Sequence, residues 1–488
     1  MKIAFADFTG TDYNVESAYQ VPLGGSESAC CYLAEALALQ GHEVFLLNNS
    51  SIAGMSRGVM CLPWSKVSGQ LLQSLEALIV LKFAVEGVQI RSSIGENTRL
   101  ILWTQHAHNQ PVMQQLQNPA QRDIYDGIAM VSDWQRDRFH QEFNIDITRS
   151  FVLRNAIAPA FGKLFPDSTP ILAHKSKPPI LAYTSTPFRG LDILLEVFPR
   201  IRKAVPGTRL KVFSSMKVYQ FAQAADESEF GVLYRKCRET EGVEYIGSIP
   251  QPDLARELRS VTALAYPNTF SETSCIAVME AMASGCFVVT SDLAALPETT
   301  AGFARLIPIE GGWEAYKNRF FEETVQVIRE CTAADSTNAE SHLRRQVNYV
   351  NSEYTWSVRA GKWVEWLSSI QAKTAISADL QQQAYQCLIH GKYSQATTFY
   401  EEAIEACPEV MSNYWHLGLT FLLQGQEAQA QATWMLPMME ADTEQVNLWT
   451  AEIVQVLQKE ATRREAMADY QTAALIEQYI VELTTNSP

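Results

Sequence analysis

The sequence predicts two doubly wound α/β domains followed by an all-helical tail. Strand-length apolar runs alternate with helix-period stretches through about residue 350. A polar stretch carrying Pro166, Pro170, Pro178 and Pro179 divides those runs in two. Past residue 377 only the helix period remains, with a 34-residue self-similarity. At 488 residues and 47% hydrophobic composition the chain fills two or three cores rather than one.

The first domain, residues 1–165, opens on a short strand at 3–6 ended by Asp7, which lacks the apolar core of a signal peptide. The spacing of Ala29, Leu33, Ala36 and Leu37 predicts a helix over 26–40 with one buried stripe, stopped by Gly41; a strand at 43–47 follows. Gly24-Gly25-Ser26-Glu27 precedes that helix. Two glycines let backbone approach a ligand at a helix start, although a Gly-Gly turn with a serine cap is equally plain architecture. Residues 100–104 form a strong strand leading into Gln105-His106-Ala107-His108. Such strand ends face the crevice of an open α/β sheet, where a neutral imidazole can donate to a developing charge. Zinc is the competing reading, but no third and fourth ligand follows at a recognisable spacing. The segments 126–132 and 151–156 close this domain.

The second domain, residues 176–350, takes strands at 180–184, 210–213, 243–247, 261–266 and 286–290, an order that predicts a parallel sheet with helices on both faces. Between the last two lies Ser271-Glu272-Thr273-Ser274-Cys275-Ile276-Ala277-Val278-Met279-Glu280-Ala281-Met282-Ala283-Ser284-Gly285. Its helix starts at the carboxyl end of a parallel strand, where unpaired N–H groups and the helix dipole favour phosphate. Were the segment between Glu272 and Glu280 fully helical, the two would stand about 12 Å apart, at about 1.5 Å per residue. That exceeds the roughly 6.5–9.5 Å of an inverting glycosidase pair and sets a hydrolase reading aside. The plain alternative is an ordinary loop acid at 272 and a solvated helix residue at 280.

This segment resembles the glutamate, any seven, glutamate signature of the retaining GT4 glycosyltransferases, including the Glu-Ala-Met-Ala-x-Gly that follows. In those enzymes the first glutamate lies by the donor sugar, the next backbone amides hold sugar and phosphate, and the second glutamate binds ribose hydroxyls. By resemblance these roles fall to Glu272, to Thr273, Ser274, Cys275 and Ile276, and to Glu280. Gly24 and Gly25 match the family's Gly-Gly-x-Glu loop. His106, chosen over His108, matches a histidine near the donor sugar, and Ile249 stands where the base is cradled. Arg189 replaces a lysine that neutralises the diphosphate, and a bidentate guanidinium suits that task. The usual Gly-Arg is missing from Thr184-Ser185-Thr186-Pro187-Phe188-Arg189-Gly190, which leaves one expected positive charge unassigned; the usual Pro-Asn-Gly is Arg154-Asn155-Ala156.

The resemblance covers roughly residues 1–370. It implies a GT-B fold, two Rossmann-like domains facing a cleft, with a terminal helix over 353–370 crossing back to complete the first. It implies a sugar moved from a nucleotide-diphosphate donor to an acceptor hydroxyl with retention, without metal or other cofactor. The acceptor is a glycan, a lipid-linked molecule or a polypeptide. One rival is a sugar phosphorylase on the same scaffold, marked by dependence on free phosphate. Another is a decayed transferase serving as a scaffold, against which the intact Glu272, Glu280 and Arg189 argue.

The tail, residues 377–485, pairs Leu380 with Tyr414, Ala384 with Gly418, Gly391 with Gly425 and Ala396 with Ala430, the packing positions of a tetratricopeptide-like repeat. Three roles are open: recruiting a protein partner, an oligomer contact, or a brace for the fold. The net charge of −15 argues against nucleic acid and anionic lipid. Nine cysteines without a Cys-x-x-Cys fit a reducing cytoplasm. The longest apolar run, residues 75–85, is interrupted by Glu76 and Lys82, so no transmembrane span is expected.

Overall fold

The computed structural model describes residues 1–82, 87–370, 375–408 and 410–485; the end of the apolar run, 83–85, lies outside them. Strands β1 (Lys2–Ala6), β2 (Glu43–Asn48), β3 (Gly54–Ser56), β4 (Val59–Pro63), β5 (Ala77–Leu81), β6 (Arg99–Trp103), β7 (Gly127–Met130) and β8 (Ser150–Val152) form the first sheet. Its order is β3-β4-β2-β1-β5-β6-β7-β8, parallel except for the β3–β4 edge hairpin. The second sheet takes β9 (Ile180–Tyr183), β10 (Arg209–Val212), β11 (Val243–Tyr245), β12 (Ala263–Tyr266), β13 (Phe287–Ser291) and β14 (Arg305–Ile307), in the order β11-β10-β9-β12-β13-β14, parallel throughout. The central strands are buried at every position because helices cover both faces, as βαβ crossovers require.

The strand order reverses between β1 and β5 in the first sheet and between β9 and β12 in the second. At such a reversal the two flanking loops part and leave a crevice beyond the strands' carboxyl ends. Asp7 and Lys82 follow β1 and β5; Thr184 and Pro267 follow β9 and β12. These four loops meet across one cleft, which is how the topology positions the site.

The helix Trp356–Ser369 crosses back onto the first domain. Trp363 meets Trp103 at 5.3 Å between ring centroids, and Trp366 stacks on Phe151 at 5.4 Å. Three helix pairs follow: Ala375–Ile389 with Tyr393–Ala406, Met411–Leu423 with Glu427–Met435, and Thr443–Ala466 with Tyr470–Thr485. Gly391 and Gly425, 34 residues apart, turn with φ 72° and 73°, and Ala396 and Ala430 are both fully buried.

The first helices of these pairs turn toward the first domain. Ala375–Ile389 packs on Gly87–Ser93 and Pro119–Arg122. Ser412 donates to Asp123, and Lys459 Nζ to the Glu142 carbonyl at 3.2 Å. Arg122, 3% exposed, lies at the centre of this contact. Its Nε and Nη2 reach the Asp123 carboxylate at 2.9 Å each and its Nη1 the Phe143 carbonyl at 2.7 Å.

Candidate active site

The cleft between the two sheets encloses a cavity of about 590 Å³. On the second-domain side the chain leaves β12 and is bare loop through Cys275; only Ile276–Ala283 is helical, so Glu272 sits before the helix and Glu280 inside it. Thr273, Ser274, Cys275 and Ile276 line the cavity at that helix start, where the positive end of the helix dipole lies.

Glu272 is buried and accepts from Arg189 Nη1 at 2.8 Å and from the Tyr266 hydroxyl at 2.5 Å. Arg189 stands over Phe270, 4.3 Å from the ring centroid. Its position is fixed by Gly190 at φ 99°, where a Cβ would lie 2.0 Å from the Pro267 carbonyl oxygen, so no other residue fits there. Burial opposes the guanidinium charge, but Glu272 outweighs it and Arg189 stays cationic. Its Nε finds no hydrogen-bond partner among the described residues, and neither do the hydroxyls of Thr184 and Thr186 on the same loop. One stretch thus presents three buried donors to the cavity at the switch point of the second sheet.

Glu280 is 2% exposed, so it is not a solvated helix residue. Burial pushes its carboxyl up to about 8, against opposing hydrogen bonds from the Ala158 N–H and the Gln251 side chain. Ile249 and Tyr219 line the same wall.

The first-domain wall carries Gly24, Gly25, Thr9, Thr11, Lys82, Gln105, His106 and Gln110. A Cβ at Gly24 would fall 2.3 Å from Glu27 Oε2, so the glycine lets Glu27 tuck beneath its own loop. Lys82, itself at φ 72°, places its ammonium 2.7 Å from Glu27 and 3.0 Å from Asp7. Burial lowers His106, an effect only partly offset by its hydrogen bond to the Lys82 backbone, so the imidazole is neutral. The other sequence candidate, His108, is turned against Trp134 at 5.9 Å and does not line the cavity.

The domains are joined around the cavity by direct bonds. Thr273 Oγ1 donates to the Gln105 carbonyl at 2.7 Å, and Asn155 Nδ2 to the Ser274 carbonyl at 3.3 Å. Gln220 and the Asp12 backbone exchange two hydrogen bonds, at 3.1 and 2.6 Å. Glu298 accepts from the N–H groups of Asp133 and Trp134 at the start of the helix Asp133–Phe143, while Arg154 closes the same carboxylate. Sequence reasoning missed Lys82, Thr9 and Glu298. For Lys82 the signal was present: a charged residue directly after a buried strand marks the carboxyl edge of the sheet.

Two domains of this topology, facing each other over such a cleft, form a GT-B fold. Residues 178–317 match the family model for glycosyl transferases group 1. Among solved structures, WaaG, a glycosyltransferase involved in lipopolysaccharide biosynthesis, aligns at 13% identity and TM-score 0.51 over 75% of this chain and 100% of its own. Sucrose-phosphate synthase from Thermosynechococcus elongatus aligns at 14% and 0.54, over 75% of this chain and 98% of its own. HepE from Anabaena, in complex with UDP and glucose, aligns at 14% and 0.51, over 76% and 100%. No curated protein matches the chain. Among the described residues no group of three or more His, Cys, Asp or Glu could hold a metal ion, and no helix is long and apolar enough to cross a membrane.

Proposed function

We propose that the chain moves a sugar, with retention, from a nucleotide-diphosphate sugar to an acceptor hydroxyl in this cleft, using no metal. The observation that carries the reading is the Arg189–Glu272 pair beside a helix N-terminus, with Thr184 and Thr186 offering unpartnered hydroxyls on the same loop. As the bond from the sugar to the diphosphate breaks, negative charge grows on the leaving phosphate. Arg189, the amides of Thr273 to Ile276 and the two threonine hydroxyls are fixed donors for that charge, and preorganised donors of this kind supply much of an enzyme's rate. The threonines take the place of the cation lost with the Gly-Arg. Glu272 orients Arg189 and faces the donor sugar; it is not assigned as a covalent nucleophile. Glu280 holds the ribose hydroxyls, Ile249 flanks the base, and neutral His106 donates to the sugar.

The likeness to HepE, which binds UDP and glucose, supports a nucleotide-sugar donor. The sequence has no Asp-x-Asp pair of the kind through which a hard cation is held on a diphosphate, and Arg189 offers a protein cation in its place. The nine thiols are all free, which fits a reducing cytoplasm. For the helical pairs we propose the brace, because the helices that would line a binding hollow are turned onto the first domain.

A panel of UDP- and GDP-sugars, scored by thermal stabilisation and slow hydrolysis, tests the donor reading. One nucleotide sugar should raise the melting temperature and be hydrolysed, and both effects should survive EDTA. Turnover that depends on free phosphate instead identifies a phosphorylase, and activity abolished by EDTA and restored by manganese or magnesium overturns metal independence.

A further inference from the structure

The groups proposed above for the nucleotide and diphosphate lie on the second domain, which leaves the first-domain wall of the cavity, His106 at the donor sugar apart, for the acceptor; the inference that follows rests on that reading. Among the described residues that line the cavity, Lys82 and Arg189 are the lysine and arginine, and Lys82 alone belongs to the first domain. An ammonium has three N–H donors and no more. All three of Lys82 are taken: Glu27 Oε1 at 2.7 Å, Thr9 Oγ1 at 2.9 Å and Asp7 Oδ2 at 3.0 Å. The geometry is closed on every side, since the lysine is 8% exposed at its side chain, Asp7 1% and Glu27 8%. Asp7 is held further by Tyr13, whose hydroxyl donates at 2.7 Å.

The consequence is electrostatic. Two carboxylates against one ammonium leave the cluster with a net negative charge, so a phosphate or carboxylate on the acceptor would meet repulsion and find no free donor on Lys82. Thr9 donates its hydroxyl to Asp7 and so belongs to the closed cluster; what the rest of the wall presents is neutral: the Thr11 hydroxyl, the amides of Gln105 and Gln110, and, beside the donor sugar, the His106 imidazole. Such groups both donate to and accept from hydroxyls, which is the chemistry of an uncharged sugar. We infer that the acceptor is a neutral carbohydrate bound through its hydroxyls, and that the Asp7–Lys82–Glu27 cluster is a specificity device excluding phosphorylated acceptors.

The test uses the full chain and a nucleotide sugar that it hydrolyses. Matched acceptor pairs are offered, glucose against glucose 6-phosphate and mannose against mannose 6-phosphate among them, together with neutral oligosaccharides, and kcat/KM is measured for each. A neutral sugar should accept, with its phosphate ester at least tenfold poorer. Glu27→Gln, which removes one carboxylate from Lys82, should lower that ratio about tenfold; because the ratio is taken within one variant, a loss of folded enzyme cancels. Donor hydrolysis without transfer to any neutral sugar, preference for the phosphorylated member of a pair, or a ratio unchanged in a folded Glu27→Gln overturns the inference. If Glu27→Gln does not fold, the wild-type ratio decides alone. A chain that binds and hydrolyses no nucleotide sugar fails at the donor reading instead, and this inference falls with it.

Discussion

Two arginines, Arg122 buried and Arg189 half-buried, stand at two very different interfaces. Arg122, where the helical pairs meet the first domain, spends its Nε, Nη1 and Nη2 on Asp123 and the Phe143 carbonyl. Arg189, where the two sheets face each other, holds Glu272 through one nitrogen and leaves Nε without a partner among the described residues. The first interface is filled and the second is hollow. A filled interface stabilises and fixes orientation, whereas a hollow one with unspent donors is built for a ligand to complete. On the proposed reading the helical pairs are architecture and the cleft is chemistry.

The largest effect expected from breaking the first interface comes from a chain ending at Ile370. It exposes the Arg122–Asp123 face and should aggregate or lose most of its soluble yield, read by light scattering and fractionation. A soluble truncated chain that hydrolyses donor normally but no longer transfers to its natural acceptor would instead show that the helical pairs recruit the acceptor.

Arg122→Ala is the local version of that change. Removing one partner of a buried ion pair costs roughly 3–5 kcal/mol, so the unfolding midpoint should fall sharply while nucleotide affinity of the folded fraction stays at the wild-type value. Equal losses in stability and affinity would merge the two interfaces that the comparison separates.

A smaller effect concerns pH. Glu280 has a folded pKa of about 8 against an ordinary 4.5, because burial disfavours its charge. The folded state therefore binds a proton that the unfolded state releases, and the associated stability is complete below about 4.5 and lost as pH rises through about 8. Glu280→Gln should remove a slope of up to about 1.4 kcal/mol per pH unit over that window, measured by denaturation at several pH values. A variant with the wild-type slope would show that Glu280 titrates normally. Glu452, buried among the helical pairs and also pushed up to about 8, is left in place as the internal comparison.

Much of the fold was legible because it rests on periodicity. The buried strands and the 34-residue repeat are patterns of residue spacing, whereas the helix Trp356–Ser369 was expected from the family resemblance. The site was legible where chemistry is local: Glu272 to Glu280 form one loop and one helix, and Arg189 lies within one strand-to-helix turn. What escaped were properties that only tertiary neighbours create. Lys82 read as an interruption in an apolar run, since nothing nearby in sequence reveals Asp7 and Glu27, 75 and 55 residues away. His106 was separated from His108 only by the family resemblance, and the packing of His108 against Trp134 supplies the physical reason. The face that the helical pairs present could not be read at all, because a stacked pair looks the same whether it holds a partner or its own chain.

The central claim, that the cleft is completed by a nucleoside diphosphate on Arg189, is tested most directly by calorimetric titration of UDP and GDP into the wild type, Arg189→Ala and Arg122→Ala. A charge-assisted hydrogen bond contributes roughly 1.5–3 kcal/mol, so Arg189→Ala should bind the preferred nucleotide about ten- to hundredfold more weakly, with Arg122→Ala unchanged. Affinity unaltered by Arg189→Ala would contradict the account.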